Sequence, residues 1–410
     1  MNKHTILTLA ISSALCLQTA QAAEKVYDED SLRMAFDLAS SDSSIEEIIF
    51  EKNAHITLNA PVVYTGEQSL QLVGRGAVID GSSAGGFILD ADLTAITDDG
   101  TLIFNTAAEI TIRNLSIENS ASRGIVVNIP DDATGDDLSV NLHKVNIINS
   151  ALYGLHIDDN ADAFDDGALG SAIGVELKIS RSNFIGNGTG AIDFDGIRVD
   201  ERDAGDITAT ITNTHIDGNG GDGIELDEAG EGDVDASMIR VTLNENGFYN
   251  EEDLDDGFDI DEADDGDIEV TLKHVTIHGN QDEGLDFDEA GNGEVELRLH
   301  HITASDNTDE AIKVDEEDAG HIEAKLKNVT VEASGDDGIQ FTELGEGKID
   351  ATLKRVSATN NAKYGIKMEQ WIIEDEEAPA EDSGWLKIKN VVLDGNGKGD
   401  EIKTNNITIK

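Results

Sequence analysis

The chain has 410 residues, with 85 Asp plus Glu against 28 Lys plus Arg and a formal net charge of −57. That balance argues against nucleic acid and anionic membranes as partners, and it makes cations obligatory company. Apolar residues make up 39%, with 41 Gly and only 3 Pro, which suits many β turns around a thin core.

Residues 1–22 read as a secretory signal. Lys3 supplies charge, residues 6–17 are mostly apolar, and Ala20-Gln21-Ala22 is an A-x-A cleavage site. The expected location is therefore a periplasm or the cell exterior. Cys16, the single cysteine, leaves with that segment, so no disulfide and no thiolate metal site is expected. Leu15 is not the small residue a lipid-anchored signal wants, and no later run is long and apolar enough to span a membrane as a helix. One domain is expected over 23–410. Residues 30–40 predict a short amphipathic helix with Leu32, Ala35, Phe36 and Leu38 on its apolar side, suited to covering the open end of a sheet. Strand-like segments follow from Ile48 to Gly81. Residues 85–190 continue with looser spacing, interrupted by an acidic insertion at 158–170.

Residues 196–370 form the most regular part. A Gly-apolar-x-apolar-acid cluster begins at Gly196, Gly223, Gly257, Gly284, Ala311, Gly338 and Gly365, with steps of 27, 34, 27, 27, 27 and 27. The long step contains Phe248 and Tyr249. A second strand starts at Ile207, Val234, Ile268, Val295, Ile322 and Ile349, and a third centres on Ile216, Leu243, Ile277, Ala304, Val331 and Ala358. A turn with Asn219, Asn246, Asn280, Asn307, Ser334 and Asn361 closes each unit. Fixed-period self-similarity means a solenoid in which each unit buries its apolar face against its neighbours. Alternation such as Ile268-Glu269-Val270-Thr271-Leu272 marks half-buried strands. Three strands per unit predict an all-β, triangular parallel β-helix, with the asparagine amides bonding from rung to rung. After an acidic loop at 373–383, residues 385–410 supply a last, shortened rung. On these repeats the sequence resembles the right-handed parallel β-helix, pectin-lyase-like superfamily.

In such a stack each repeat position becomes a column with a spacing of about 4.8 Å. Asp200, Asp227, Asp261, Asp288 and Asp315 form one column. Glu201, Glu228, Glu262, Glu289, Glu316 and Glu343 run beside it, and both are read as outward. Another holds Asp222, Asp256, Glu283, Glu310 and Asp337. Adjacent carboxylates at that spacing repel by roughly 1–3.5 kcal/mol, so either pKa values rise or cations sit between rungs. Ca²⁺, which takes six to eight oxygens, is the natural ion; a solvated, salt-screened surface is the other reading. The middle of the first strand is mixed: His156, Arg198, Glu225, Asp259, Asp286, Lys313, Gln340 and Lys367. Candidate metal ligands are Glu225, Asp227, Asp259, Asp261, Asp286, Asp288 and Asp315.

Polysaccharide lyases of the superfamily use Ca²⁺ held by acids on adjacent rungs to acidify a uronate C–H, and a Lys or Arg to remove the proton. That resemblance implies metal ligation by Asp259, Asp286 and Asp288, Lys313 or Arg198 as base, and Phe248 or Tyr249 stacking on sugar. The signatures of pectate lyases and polygalacturonases are absent. Lys273-His274, His300-His301, Lys327-Asn328 and Lys354-Arg355 form a basic stripe, with Arg298 and Lys325 on the strand before. It either binds an anionic glycan or pairs with the acidic columns, and pairing is favoured. Three functions stay open: a Ca²⁺-loaded non-catalytic protein associated with glycan or cell surface, a Ca²⁺-dependent polysaccharide lyase, and a structural or cation-buffering envelope protein. Regular repeats with few inserted loops favour the first and third.

Overall fold

Alternate apolar side chains along each repeat share one core, and each strand pairs in parallel with its counterpart one repeat further on. The computed structural model describes residues 22–91, 93–160, 169–249, 254–372 and 384–410. The expected export signal up to residue 21, the centre of the 158–170 insertion and the 373–383 loop lie outside the described residues. The architecture is a right-handed parallel β-helix with a 12-stranded and a 17-stranded sheet; Ile88–Leu89 and Ala95–Ile96 form a small antiparallel pair beside them.

The 12-stranded sheet carries the Gly-apolar clusters. Its register sets Arg198 beside Glu225, Glu225 beside Asp259 and Asp259 beside Asp286, so the long step between repeats does not shift the columns. The 17-stranded sheet corrects one expectation, because in most units the second and third strands are a single bent strand, although Ile268–Lys273 and Thr276–His278 remain separate. Ile207–Asp217 and Val234–Asn244 run through unbroken. They bend at one residue in the left-handed region, Asn213 (φ 52°) and Arg240 (φ 58°). One such residue redirects a strand without a loop, and Asn and His tolerate it better than most.

The turn asparagines are buried and bonded as expected. Asn187 Nδ2 donates to Asn219 Oδ1 (3.1 Å), Asn219 to Asn246 (2.9 Å), Asn246 to Asn280 (3.1 Å) and Asn280 to Asn307 (3.1 Å). Each Oδ1 also accepts a backbone N–H from the preceding rung, as Asn246 does from Asn219 (3.1 Å). Ser334 interrupts the run, leaving its own Oγ and Asn307 Nδ2 without partners. Elsewhere a glycine lies against the amide. A Cβ on Gly284 would meet Asn307 Nδ2 at 2.6 Å, and one on Gly338 would meet Asn361 Nδ2 at 2.6 Å. The rung with serine is also the rung where Ala311 replaces that glycine. The methyl group takes the space an amide would need.

The end-covering helix α1 (Glu29–Ser41) is one residue longer at each end than the sequence suggests. Asp28 caps it in a capping box with Ser31. Leu32, Ala35, Phe36 and Ala39 are buried, whereas Leu38 faces outward. Phe36 packs on Phe104 with ring centroids 6.0 Å apart.

Candidate functional site

The outer side of the 12-stranded sheet brings basic clamps and bare carboxylates together in sequence along the helix axis. At one end Arg198 reaches Asp200 Oδ1 (2.6 Å), Asp227 Oδ2 (2.8 Å) and Glu225. Arg202, fully buried, also reaches Asp227 Oδ2 (2.8 Å). His156 Nε2 bonds Asp200 Oδ2 (2.7 Å) on the rung before. At the other end Lys313 Nζ sits 2.6 Å from Asp286 Oδ2, 3.5 Å from Glu283, 3.8 Å from Asp288 and 3.9 Å from Asp315.

Between the clamps, Asp222, Glu225 and Asp259 bring oxygens within 4.8 Å of one another, and so do Asp256, Asp259 and Asp286. Asp259 belongs to both groups. Neither it nor Asp222 or Asp256 has an ion pair among the described residues. Backbone N–H groups steer the column beside them: Asp222 accepts from Asp256, and Asp256 Oδ1 accepts from Glu283 N–H (2.6 Å). Asp286 is 7% exposed, and its Oδ1 has no donor. Burial raises the carboxyls of Asp222, Asp256 and Asp259 well above the usual range, and neighbouring carboxylates add to it. Asp286 is pushed to about 7 by burial, against the pull of Lys313. The donor set is all carboxylate oxygen, which suits a hard divalent ion.

Of the expected ligands, the structure gathers Glu225, Asp259 and Asp286. Asp227 is taken up by two arginines, Asp288 and Asp315 lie within reach of Lys313, and Asp261 is exposed two residues beyond Asp259. Asp222 and Asp256 complete the group. They were legible as a column before the strand but were not set beside Asp259. The surroundings oppose the expected bases: carboxylates around Lys313 and Arg198 hold both cations more firmly charged than usual, the reverse of what a proton acceptor needs. Phe248, 51% exposed, and half-buried Tyr249 flank the site. Tyr249 N–H donates to Gly220 O at 3.0 Å, two residues before Asp222.

The glutamate column read as outward points inward, which is a correction. Glu201, Glu228, Glu262, Glu289, Glu316 and Glu343 are each at most 2% exposed, and Gln370 continues the column fully buried. Glycine N–H groups four residues on donate to one oxygen of Glu228, Glu289, Glu316 and Glu343, as Gly293 does to Glu289 (2.9 Å) and Gly347 to Glu343 (2.8 Å), whereas both oxygens of Glu201 and Glu262 lack a donor. The second oxygens of Glu228, Glu289, Glu316 and Glu343 have no donor. Protons shared along the stack would supply one. Burial pushes Glu228 and Glu343 to about 7, Glu316 to about 9, and Glu201 and Glu262 to about 10. The signal was parity: Ile197, Val199 and Glu201 share one face, as do Ile224, Leu226 and Glu228. In the basic stripe, Arg298 pairs with Glu269 and Glu296 and Lys325 with Glu323, as favoured, but the bend residues themselves pair with no acid among the described residues.

Residues 195–371 match the family described as right handed beta helix region. Among solved structures, the periplasmic alginate epimerase AlgG is similar at 10% identity over 94% of this chain and 83% of that one, with a TM-score of 0.40. The catalytic domain of a GH87 alpha-1,3-glucanase in complex with nigerose is similar at 14% identity over 98% of this chain and 70% of that one, with a TM-score of 0.39. Both likenesses concern the fold alone. No curated protein sequence matches.

Proposed function

From a right-handed parallel β-helix, pectin-lyase-like in its fold, we propose an exported Ca²⁺-binding protein that associates with glycan or cell-surface material without acting on it chemically. The observation that supports it is the convergence of acids between the clamps, of which Asp222, Asp256 and Asp259 have no ion pair among the described residues. Asp222, Glu225, Asp256, Asp259 and Asp286 converge, and the Asp286 oxygen without a donor is buried. A divalent ion there would relieve repulsion that protons relieve at low pH. Binding to the folded state alone stabilises it by mass action.

The test is a thermal melt at matched ionic strength. Ca²⁺ should raise Tm by several degrees and Mg²⁺ should not, because Mg²⁺ dehydrates reluctantly and demands a stricter octahedron. Equal, small responses to both ions would reduce the face to a screened, cation-buffering surface.

A Ca²⁺-dependent lyase is the second reading, and exposed Phe248, on a loop whose backbone bonds Asn219 and Gly220 just before Asp222, is what favours it. In that case Lys313→Ala abolishes cleavage of uronate polymers while Ca²⁺ still raises Tm. Unchanged cleavage removes Lys313 from that role.

A further inference from the structure

The outer side of the bend in the 17-stranded sheet runs against the charge of the rest of the molecule. The left-handed bend residues stack as a column in which Arg75, Lys144, Arg181, Arg240 and Arg355 alternate with Asn and His. The position just before it holds His143, Lys273, His300, Lys327, Lys354 and Lys389. Two positions earlier stand Lys178, Arg298, Lys325 and Lys387. Two positions beyond the bend come hydroxyls, among them Thr276, Thr303, Thr330 and Ser357.

From the rung of Gln71 to that of Lys389, none of these four outward columns carries an acid. Acids return only at the next outward positions, for example Glu269 and Glu296 on one side and Asp217 and Glu332 on the other. In a chain with 85 acids and 28 Lys plus Arg, a face that was merely solvated would have taken acids as the other faces do.

The bend cations also lack carboxylate partners among the described residues. Arg240 Nε donates to Asn213 Oδ1 (2.6 Å), Arg355 Nε to Asn328 Oδ1 (2.5 Å), and His274 stacks on His301 at 4.7 Å. These contacts hold the side chains in file and leave their charge uncompensated. Burial and the neighbouring Lys327, His301, His274 and Lys273 hold His300 below its usual pKa, as a local positive field requires. A shallow groove of about 640 Å³ runs along the file past His274, His301, Asn328 and Arg355.

We infer that this band is a binding track for a linear acidic polysaccharide. The cations recur at one rung or a small multiple of it, about 4.8 Å, which matches a polymer with one acidic group per sugar. Thr, Ser and Asn between them suit sugar hydroxyls, and Arg forks suit planar anions. Single-stranded nucleic acid would want Phe, Tyr or Trp for its bases, and these four columns offer none, while the imidazoles of His274, His300 and His301 pack on one another. A lipid surface would want an apolar face to insert, where the band presents hydroxyls. The acidic face lies across the core. Stacked sheets are about 10 Å apart, so a ligand on the band meets its cations in contact and the acidic face only from that distance or more, where Coulomb attenuation weakens it. The inference extends the glycan-associated reading but does not rest on the Ca²⁺ centre.

The test uses the triple variant Arg181→Asn, Arg240→Asn, Arg355→Asn. The protein itself places Asn at left-handed bend positions, so the backbone is kept and only charge is removed. Retention on immobilised polyuronate and on a sulfated glycan is measured in EGTA at physiological salt and above, with neutral glucan, a single-stranded oligonucleotide and anionic vesicles as controls. The native protein should be retained by acidic glycan, less so as salt rises, and the variant should bind at least tenfold more weakly at unchanged Tm. Equal retention of variant and native protein, or stronger binding to the oligonucleotide or vesicles, would overturn the track. Retention that needs Ca²⁺ and ignores the triple substitution would move the glycan to the acidic face. No retention with or without Ca²⁺ would overturn the glycan reading as a whole.

Discussion

Glu262→Gln tests whether the buried glutamate column runs on shared protons. Glu262 lies between Glu228 and Glu289 and is 2% exposed; burial and those neighbours push its carboxyl from 4.5 to about 10. A carboxyl raised in this way keeps its proton in the folded state. Its contribution to stability is complete below pH 4.5 and is lost as pH climbs towards the folded value. At pH 7 unfolding releases the proton across roughly 2.5 pH units, worth about 3.5 kcal/mol at about 1.4 kcal/mol per unit. Glutamine has two N–H donors at every pH, one for each neighbour, and has no proton to lose. The chain already uses this device, since Gln370 continues the column and accepts from Ile349 N–H at 2.9 Å. The variant should gain up to about 3.5 kcal/mol at pH 7 and almost nothing at pH 4. Urea midpoints of both proteins across that range are the assay. A midpoint that falls at pH 7, or a gain equal at both ends, would refute proton sharing and leave the column as six strained carboxylates.

Ser334→Asn alone should lower Tm, because the new amide meets the Ala311 methyl group, whereas Ala311→Gly with Ser334→Asn should stabilise by roughly 1–2 kcal/mol through the restored amide bonds; a melt series of the cycle reads the coupling, and additive effects would refute it. Asp259→Asn removes the carboxylate common to both oxygen clusters, so the Ca²⁺-induced rise in Tm should largely vanish while melting in EGTA at pH 8 improves. Lys313→Gln leaves Asp286, Glu283, Asp288 and Asp315 without their cation, at a cost of about 3–5 kcal/mol at pH 8. Asp286 and Glu283 are raised to about 7 and Asp288 to about 8, so that cost should shrink as they take up protons towards pH 5; urea midpoints at the two pH values decide it.

The solenoid, its strands, its covering helix and the amide ladder were legible because each rests on a local period or a local signal. Two features were not. Charge alone puts glutamates such as Glu201 and Glu262 outside, whereas the period-two parity they share with Val199 and Ile260 puts them inside, and parity prevails. The single-residue bends escaped because Arg240 and Arg355 have no special propensity for positive φ, and only the stacked environment selects it. At the candidate centre, Glu225, Asp259 and Asp286 could be aligned by column. That Arg198 and Arg202 withdraw Asp227 depends on side-chain reach, which spacing does not carry.

The amide ladder has a consequence for how long such a protein can be. Each asparagine speaks only to the next, and the extra residues after Asn246 leave its bond to Asn280 at 3.1 Å, the same as between Asn280 and Asn307. Nothing in the stack measures total height. Duplicating or excising one unit changes the height by about 4.8 Å and adds or removes one carboxylate per acidic column, so the number of stacked carboxylates is a quantity that unequal recombination within the gene can tune in whole-repeat steps without redesigning the fold.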